Sequence, residues 1–453
     1  MIHTYSLYGN DFCMDVESGA IHILEKAAYD LVNFLSPKGE DVSLTETCPQ
    51  EAFTALSSYK KEEVEEAYAE LYELYENDQL FSKRDYTPSF PQEYPIKAVC
   101  LHVAHDCNLR CKYCFADGGG YCAERALMPI EVAKKAIDFM IEKSGSRRNL
   151  ELDFFGGEPL MNLDVVKQTV EYARSIEEKH NKNFRFTLTT NGLLLNDEVI
   201  EYLNETMDNV VLSIDGRKDV NDSVRIGVNG KGSYDAIVPK LQKFREVRGD
   251  KSYYVRGTFT AENLDFAKDV LHMHDLGFDQ VSVEPVVLDP SSPMALKDEH
   301  LPQIFAEYEK LGLEIDKINK SDDDFINFFH FMVDLDQGPC VIKRMKGCGS
   351  GSEYVAITPA GEVYPCHRFV GNTDFVMGNI MESFDLDKEL TAKFTATTIP
   401  EKDECDKCWA KYFCSGGCAA NNFYANGDIL KPNSTGCEME KKRLECAIAM
   451  KAL

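Results

Sequence analysis

Positive charge is scarce in this chain: 49 Lys and Arg stand against 76 Asp and Glu, a net charge of -27 at pH 7. That balance argues against a phosphate backbone as partner and leaves a neutral or basic peptide as the more natural macromolecule to bind. Long hydrophobic runs are also missing; none approaches the ~18 apolar residues of a membrane-spanning helix. The opening Met1-Ile2-His3-Thr4-Tyr5 lacks the basic and apolar regions of a secretory signal, so the cytoplasm is the expected location, with no nucleic acid and no membrane as partner. Cysteine is too sparse for a disulfide framework: 16 in 453 residues is less than half the roughly 8–10% of small disulfide-bonded chains. Apolar residues are not scarce, and 44% over 453 residues supplies cores for two to three domains.

The cysteines are unevenly spread. Cys13, Cys48, Cys100, Cys122 and Cys446 stand alone and read as buried or incidental thiols. The others fall in two dense groups with metal-ligand spacings.

Residues 1–85 read as short strands (Thr4–Leu7, Phe12–Val16, Ala20–Ile23), a helix over Glu25–Leu35 and another over Lys60–Asn77. Val64, Ala67, Tyr68, Leu71, Leu74 and Tyr75 recur at three and four, the pattern of a core-facing helix. The proline-rich stretch at 86–96 reads as a linker. Over 97–335, strands at Ala98–Ala104, Leu150–Phe155, Arg185–Thr190, Val210–Ile214, Tyr254–Thr260 and Val281–Pro285 alternate with helices such as Pro129–Lys143 and Leu163–His180. Such alternation implies an α/β fold with a parallel sheet, either doubly wound or curled as a barrel. Residues 336–453 turn cysteine-dense and read as a separate, metal-organised domain.

Cys107, Cys111 and Cys114 are spaced C-x3-C-x2-C, three thiolates where an iron-sulfur cluster usually takes four. Leu152-Asp153-Phe154-Phe155-Gly156-Gly157-Glu158-Pro159 is a strand running into two glycines and an acid. The cysteine run resembles the signature of the radical SAM superfamily, whose core is a partial (β/α)6 TIM-like barrel. There S-adenosylmethionine (SAM) chelates the open iron and is cleaved to a 5'-deoxyadenosyl radical. By that resemblance Gly156, Gly157 and Glu158 meet the SAM amino group, the glycines allowing close approach. Asn191 and Ser213, preferred over Asp215, face the ribose; Tyr113 and Phe115 pack near the adenine. Arg225 either pairs with the SAM carboxylate or makes a surface ion pair. His102 and His105, beside a strand end, read as supporting or surface residues.

Downstream, Cys348, twelve residues to Gly361, four to Cys366, then Cys405-x2-Cys408-x5-Cys414-x3-Cys418 and Cys437 form a second pattern. A zinc ribbon needs only four ligands per ion. The seven-cysteine set resembles the SPASM extension, which holds two auxiliary 4Fe-4S clusters and brings the implied total to three. The resemblance implies an outer cluster on Cys405, Cys408, Cys414 and Cys437 and an inner one on Cys348, Cys366 and Cys418. Either Cys340 supplies the eighth ligand or the inner cluster keeps an open iron for a substrate thiolate.

The whole order resembles thioether-forming peptide maturases, most closely the SCIFF (six-cysteines-in-forty-five) group. The resemblance implies a winged-helix-like α+β module over residues 1–85 that recognises a leader peptide, and a precursor with a cysteine-rich core. It further implies an electron donor such as flavodoxin or ferredoxin, and a bond from a Cys sulfur to a carbon of another residue, with threonine the expected acceptor. Formylglycine formation and a noncatalytic iron-sulfur, peptide-binding or redox scaffold are the alternatives.

Overall fold

The computed structural model describes residues 1–36, 42–84, 88–121, 124–322, 324–335 and 344–453. Tyr8 and Gly9 both take positive φ, 51° and 81°, the twist a two-residue hairpin loop requires. That loop sets the register of β1 (Ile2–Leu7) against β2 (Asn10–Asp15), and β3 (Ile21–Leu24) adds to β2, all antiparallel. Alternation gives the sheet two apolar faces. Cys13 faces α1 (Lys26–Leu35), α2 (Gln50–Ala55) and α3 (Lys61–Glu76) in one cluster with Leu31, Val64 and Leu71. Tyr5, Leu7, Phe12 and Met14 join the main core, which includes Ala447 and Ile448 of the C-terminal helix Ser434–Met450.

The central sheet begins at β4 (Ala98–His105), followed by the short β5 (Leu109–Cys111) and β6 (Ala126–Leu127). Then come α4 (Ile130–Lys143), β7 (Asn149–Gly156), α5 (Leu163–His180), β8 (Asn183–Thr190), α6 (Asp197–Thr206) and β9 (Asn209–Ser213). After α7 (Lys218–Val224), β10 (Arg225–Gly227) and α8 (Tyr234–Arg248), the chain forms β11 (Tyr253–Phe259), α9 (Ala267–Asp275) and β12 (Gln280–Pro285). Helix α10 (Leu301–Asn319) and β13 (Asn327–Phe328) end this run. The strands lie in the order β4-β7-β8-β9-β11-β12-β13, each parallel to the next. A doubly wound sheet reverses its order at a switch point; this one never does, so it is the barrel type. Val99, Leu101 and Val103 of β4 enter the main core beside α4, while Cys100 joins Phe155 and Cys366 in another cluster.

The C-terminal segment is joined to this sheet rather than set apart from it. Strand β14 (Tyr354–Ile357) pairs parallel with β4 on the side away from β7, and β15 (Glu362–Tyr364) and β16 (Gly378–Asn379) follow antiparallel. Nothing in the local pattern announces a parallel partner so far back along the chain. The described part of the 86–96 stretch is packed as well: Phe90 lies against a cluster containing Val16 and Met345, and Ile96 is buried. No helix among the described residues is long and apolar enough to cross a membrane.

Candidate functional site

Where β4 ends, the chain turns through the first cysteine group. β5 pairs antiparallel with β10, which sets Cys111 opposite Arg225. Arg110 Nη1 donates to the carbonyls of Cys107 at 2.5 Å and Leu109 at 2.6 Å, stapling the loop from within. Asp106 Oδ1 accepts from the Cys107 N–H at 2.8 Å and from Arg125 at 2.6 Å. Cys107, Cys111 and Cys114 face a cavity of about 160 Å³ that Tyr113, Phe115, Gly156, Gly157, Asn191, Ser213 and Arg225 also line.

The two glycines line this cavity and also let backbone approach backbone. A Cβ on Gly156 would stand 2.2 Å from the Ala104 carbonyl oxygen, and one on Gly157 2.1 Å from that of Asp106. The strand end is thus pressed against the cysteine loop's own backbone, where Gly157 and Glu158 N–H donate to those carbonyls at 2.8 and 2.9 Å. Tyr121 donates its hydroxyl to the Gly156 carbonyl at 3.0 Å.

Glu158 lies behind the cavity wall. Oε1 accepts from Leu160 N–H at 3.1 Å and Thr190 Oγ1 at 2.8 Å; Oε2 accepts from Asn191 N–H at 2.8 Å. Burial lifts its pKa to about 7, although those three donors pull the other way. The carboxylate ties β7 to the end of β8 and aims Asn191, whose Nδ2 donates to Asn108 Oδ1 at 2.7 Å and reaches Cys107 Sγ at 3.6 Å.

Arg225 is 7% exposed, which excludes the surface ion pair. Its Nη1 donates to the Tyr113 hydroxyl at 2.9 Å, that hydroxyl donates to Asp215 Oδ2 at 2.6 Å, and Thr258 N–H donates to Asp215 Oδ1 at 3.0 Å. Arg225 Nε is buried without a partner. Asp215 is therefore spent on the wall. The histidines are not surface residues: His102 is fully buried, its Nδ1 3.1 Å from His105 Nε2, and burial drives both pKa values down. Both faces of β4 are covered, a fact that strand-end position alone conceals.

The C-terminal thiols form two neighbourhoods that meet at Cys418. Burial pushes Cys366 up to about 12, with Cys418 and Cys348 adding to the rise. Burial likewise raises Cys414 to about 12 and Cys437 to about 11; Cys408 is a neighbour of both, Cys437 of Cys414, and Cys405 of Cys437. Cys414, Cys418 and Cys437 line a second cavity of about 420 Å³. Among the described residues no three His, Cys, Asp or Glu side chains are placed to hold a single metal ion. Cys340 and Cys122 lie outside the described residues. Cys13, Cys100 and Cys446 are buried and Cys48 half-buried.

The first site fits an iron-sulfur cluster with an attached carboxylate ligand. Its three thiols face one cavity, and a buried guanidinium there keeps an unused N–H. Cys107 and Cys111 are pushed up to about 12 and about 11 by burial, so they stay protonated until a cation takes them.

Comparison with known proteins agrees. Residues 101–273 match the radical SAM superfamily and residues 348–409 match SPASM, an iron-sulfur cluster-binding domain. The chain carries a radical SAM domain and a SPASM domain. The chain is 25% identical over 367 residues to the radical SAM cyclopropyl synthase TigE of Paramaledivibacter caminithermalis, covering 76% of this chain and 72% of TigE. It is 24% identical over 337 residues to a cysteine-type anaerobic sulfatase-maturating enzyme of Clostridium novyi, covering 70% of this chain and 86% of that one. Among solved structures, anSMEcpe with bound AdoMet covers 78% of this chain and 97% of its own at TM-score 0.65 and 20% identity. Streptococcus suis SuiB bound to S-adenosylmethionine covers 96% and 98% at TM-score 0.54 and 16% identity. Both share the radical SAM fold seen here.

Proposed function

We propose that this protein is a radical SAM peptide maturase that installs an intramolecular thioether, joining a Cys sulfur to a carbon of another residue, threonine by expectation, in a cysteine-rich precursor. Bound at Cys107, Cys111 and Cys114, a 4Fe-4S cluster with SAM supplies a 5'-deoxyadenosyl radical that removes a hydrogen atom from carbon. Arg225, through its unused Nε, takes the SAM carboxylate; Ser213 and Asn191 face the ribose; Tyr113 and Phe115 flank the adenine. Glu158 acts through the loop it holds, aiming Asn191.

One observation carries the thioether reading. Cys366 lies one layer from the SAM cavity: the ring of its neighbour His367 is 5.1 Å from that of Phe155 and 5.6 Å from that of Phe115, both cavity residues. Cys348, Cys366 and Cys418 would hold a 4Fe-4S cluster with three ligands, and a substrate thiolate could supply the fourth. Joining sulfur to carbon removes one hydrogen atom from the carbon and one proton from the thiol. One electron is left over, and the two C-terminal thiol sets would seat its acceptor.

Several features support a peptide as substrate. SuiB, of the same fold, is solved with its precursor peptide SuiA. In this chain β3 is an edge strand with Ile23 54% exposed, a place where a leader could add as a further strand. Flavodoxin or ferredoxin is the proposed donor of the electron that starts the reaction. Likeness to the sulfatase-maturating enzyme supports formylglycine formation as the second reading, one in which Cys340 completes the inner set.

The test is anaerobic incubation of reconstituted protein with SAM, a reductant and a cysteine-rich precursor, followed by mass spectrometry. The expected product has lost two hydrogens and shields one cysteine from alkylation. Loss of that cysteine's sulfur instead would establish formylglycine. Deoxyadenosine production by Cys107→Ala would overturn the radical scheme.

A further inference from the structure

The turn of the β2–β3 hairpin reaches the loop of Cys405, Cys408 and Cys414 through a buried ion pair. Lys411 Nζ donates to Glu17 Oε1 at 2.6 Å and the Tyr412 hydroxyl donates to Glu17 Oε2 at 2.7 Å. The Lys411 and Glu17 side chains are only 2% and 9% exposed. Lys411 Nζ also donates to the Asp406 carbonyl at 3.3 Å, so one ammonium bridges the loop and the carboxylate. Next door, the His3 ring lies flat on Trp409, centroids 3.8 Å apart and planes within 4°, while His3 Nε2 meets Glu445 Oε1 at 3.0 Å. Val16 packs in one cluster with Cys405, Ile399, Met345 and Tyr412.

Asp406, Trp409, Lys411 and Tyr412 all lie between Cys405 and Cys414 in the chain. The loop has little regular structure of its own, only two four-residue turns at Asp403–Asp406 and Lys411–Cys414, too short to hold their shape without tertiary support. Glu17 grips the second turn by two donors at once. A carboxylate buried this deeply is held in place by its partners, and they by it.

We propose that Glu17 is a positioning residue for the thiol set Cys405, Cys408, Cys414 and Cys437, and that docking of residues 1–36 is coupled to iron loading of that set. The proposal rests on the reading that this set holds a cluster. Groups behind the ligands commonly govern metal retention, and their loss weakens it about 10- to 100-fold. Coupling is reciprocal, so loading also tightens the docked hairpin.

The experiment uses the full chain, reconstituted anaerobically, as wild type, Glu17→Gln, Glu17→Asp and Cys405→Ala. Iron content and the rate of iron release to a chelator are read together with thermal stability. Glu17→Gln is expected to release one set of about four irons roughly tenfold faster or more, with Glu17→Asp recovering part of the loss. Unchanged iron content in Cys405→Ala would sink the cluster reading itself. Reduced iron in Cys405→Ala with wild-type release from Glu17→Gln would overturn the proposal while leaving the cluster reading intact. Hydrogen exchange on the wild type covers the case of a variant that does not fold. Amides of Asp15–Glu17 are expected to exchange more slowly in loaded than in iron-free protein, and equal rates overturn the coupling.

Discussion

Arg225 Nη1 donates to the Tyr113 hydroxyl at 2.9 Å, a contact between residues 112 positions apart in the chain. Tyr113 stands between Cys111 and Cys114, so the contact pins the thiol loop to β10, and Asp215, on the far side of the hydroxyl, pins it to the end of β9. The cavity owes its shape to this crossing.

Removing the hydroxyl tests the crossing. Tyr113→Phe leaves Asp215 Oδ2 and Arg225 Nη1 short of a partner, a cost of about 1–3 kcal/mol for each buried group. The expected result is a lower melting temperature and weaker SAM binding by equilibrium dialysis. Wild-type values for both would show the crossing to be dispensable.

Gly157→Ala sets a methyl group against backbone, with the Asp106 carbonyl oxygen 2.1 Å away and no flexible side chain to yield. The strand end must then part from the cysteine loop, at an expected ~2–3 kcal/mol or more. Gly230→Ala, at φ +75° in open space, should cost only about 1–2 kcal/mol. Urea unfolding of both variants, with iron uptake by each, is the comparison; equal losses would contradict the steric account.

Glu158→Gln exchanges an acceptor for a donor. Oriented to accept at one oxygen, the amide faces the Asn191 N–H, or the Leu160 N–H, with its own NH2, leaving a buried donor unpaired. About 1–3 kcal/mol of stability should be lost. SAM affinity should fall with it through Asn191, read by calorimetric titration. A variant as stable as wild type would show that the carboxylate does not hold that loop.

Acid should weaken the fold through His330. Arg443 can only donate, so its 2.8 Å contact to Nδ1 leaves the ring neutral with its proton on Nε2, 3.2 Å from Ser282 Oγ. Burial lowers the His330 pKa to about 4, with Glu284 opposing and Arg443 and Arg256 assisting. In the unfolded chain the ring titrates near ~6.5, so between those values the unfolded chain binds a proton that the folded one refuses. Stability from this residue is level above about pH 7 and falls by up to ~1.4 kcal/mol per unit as pH drops through 6.5 toward 4. Urea unfolding at pH 7.5 and 5.5 should show the fall in wild type and a shallower one in His330→Gln.

The thiol groups were legible because ligand spacing is a local property, written within a few residues at Cys107–Cys114 and Cys405–Cys418. Helix α3 was legible for the same reason, its buried Val64, Ala67, Tyr68 and Leu71 being the periodic residues. What escaped was direction and distance. His102 is buried because both faces of β4 are covered, and that cover comes from segments the strand's own residues do not specify. Gly156 and Gly157 read as room for a ligand, and the close approach of the Ala104 and Asp106 backbone to them was not legible.

By itself the sequence determined which residues could carry the chemistry, since three thiols at one spacing and seven at another restrict the donor sets, and alternating apolar segments restrict the fold to strands and helices in turn. Only the tertiary structure decided how those parts meet. β14 closes on β4 across about 250 residues, and Glu17 reaches Lys411 across 394. Such pairings gain their free energy from burial shared between distant segments, which neither segment carries alone.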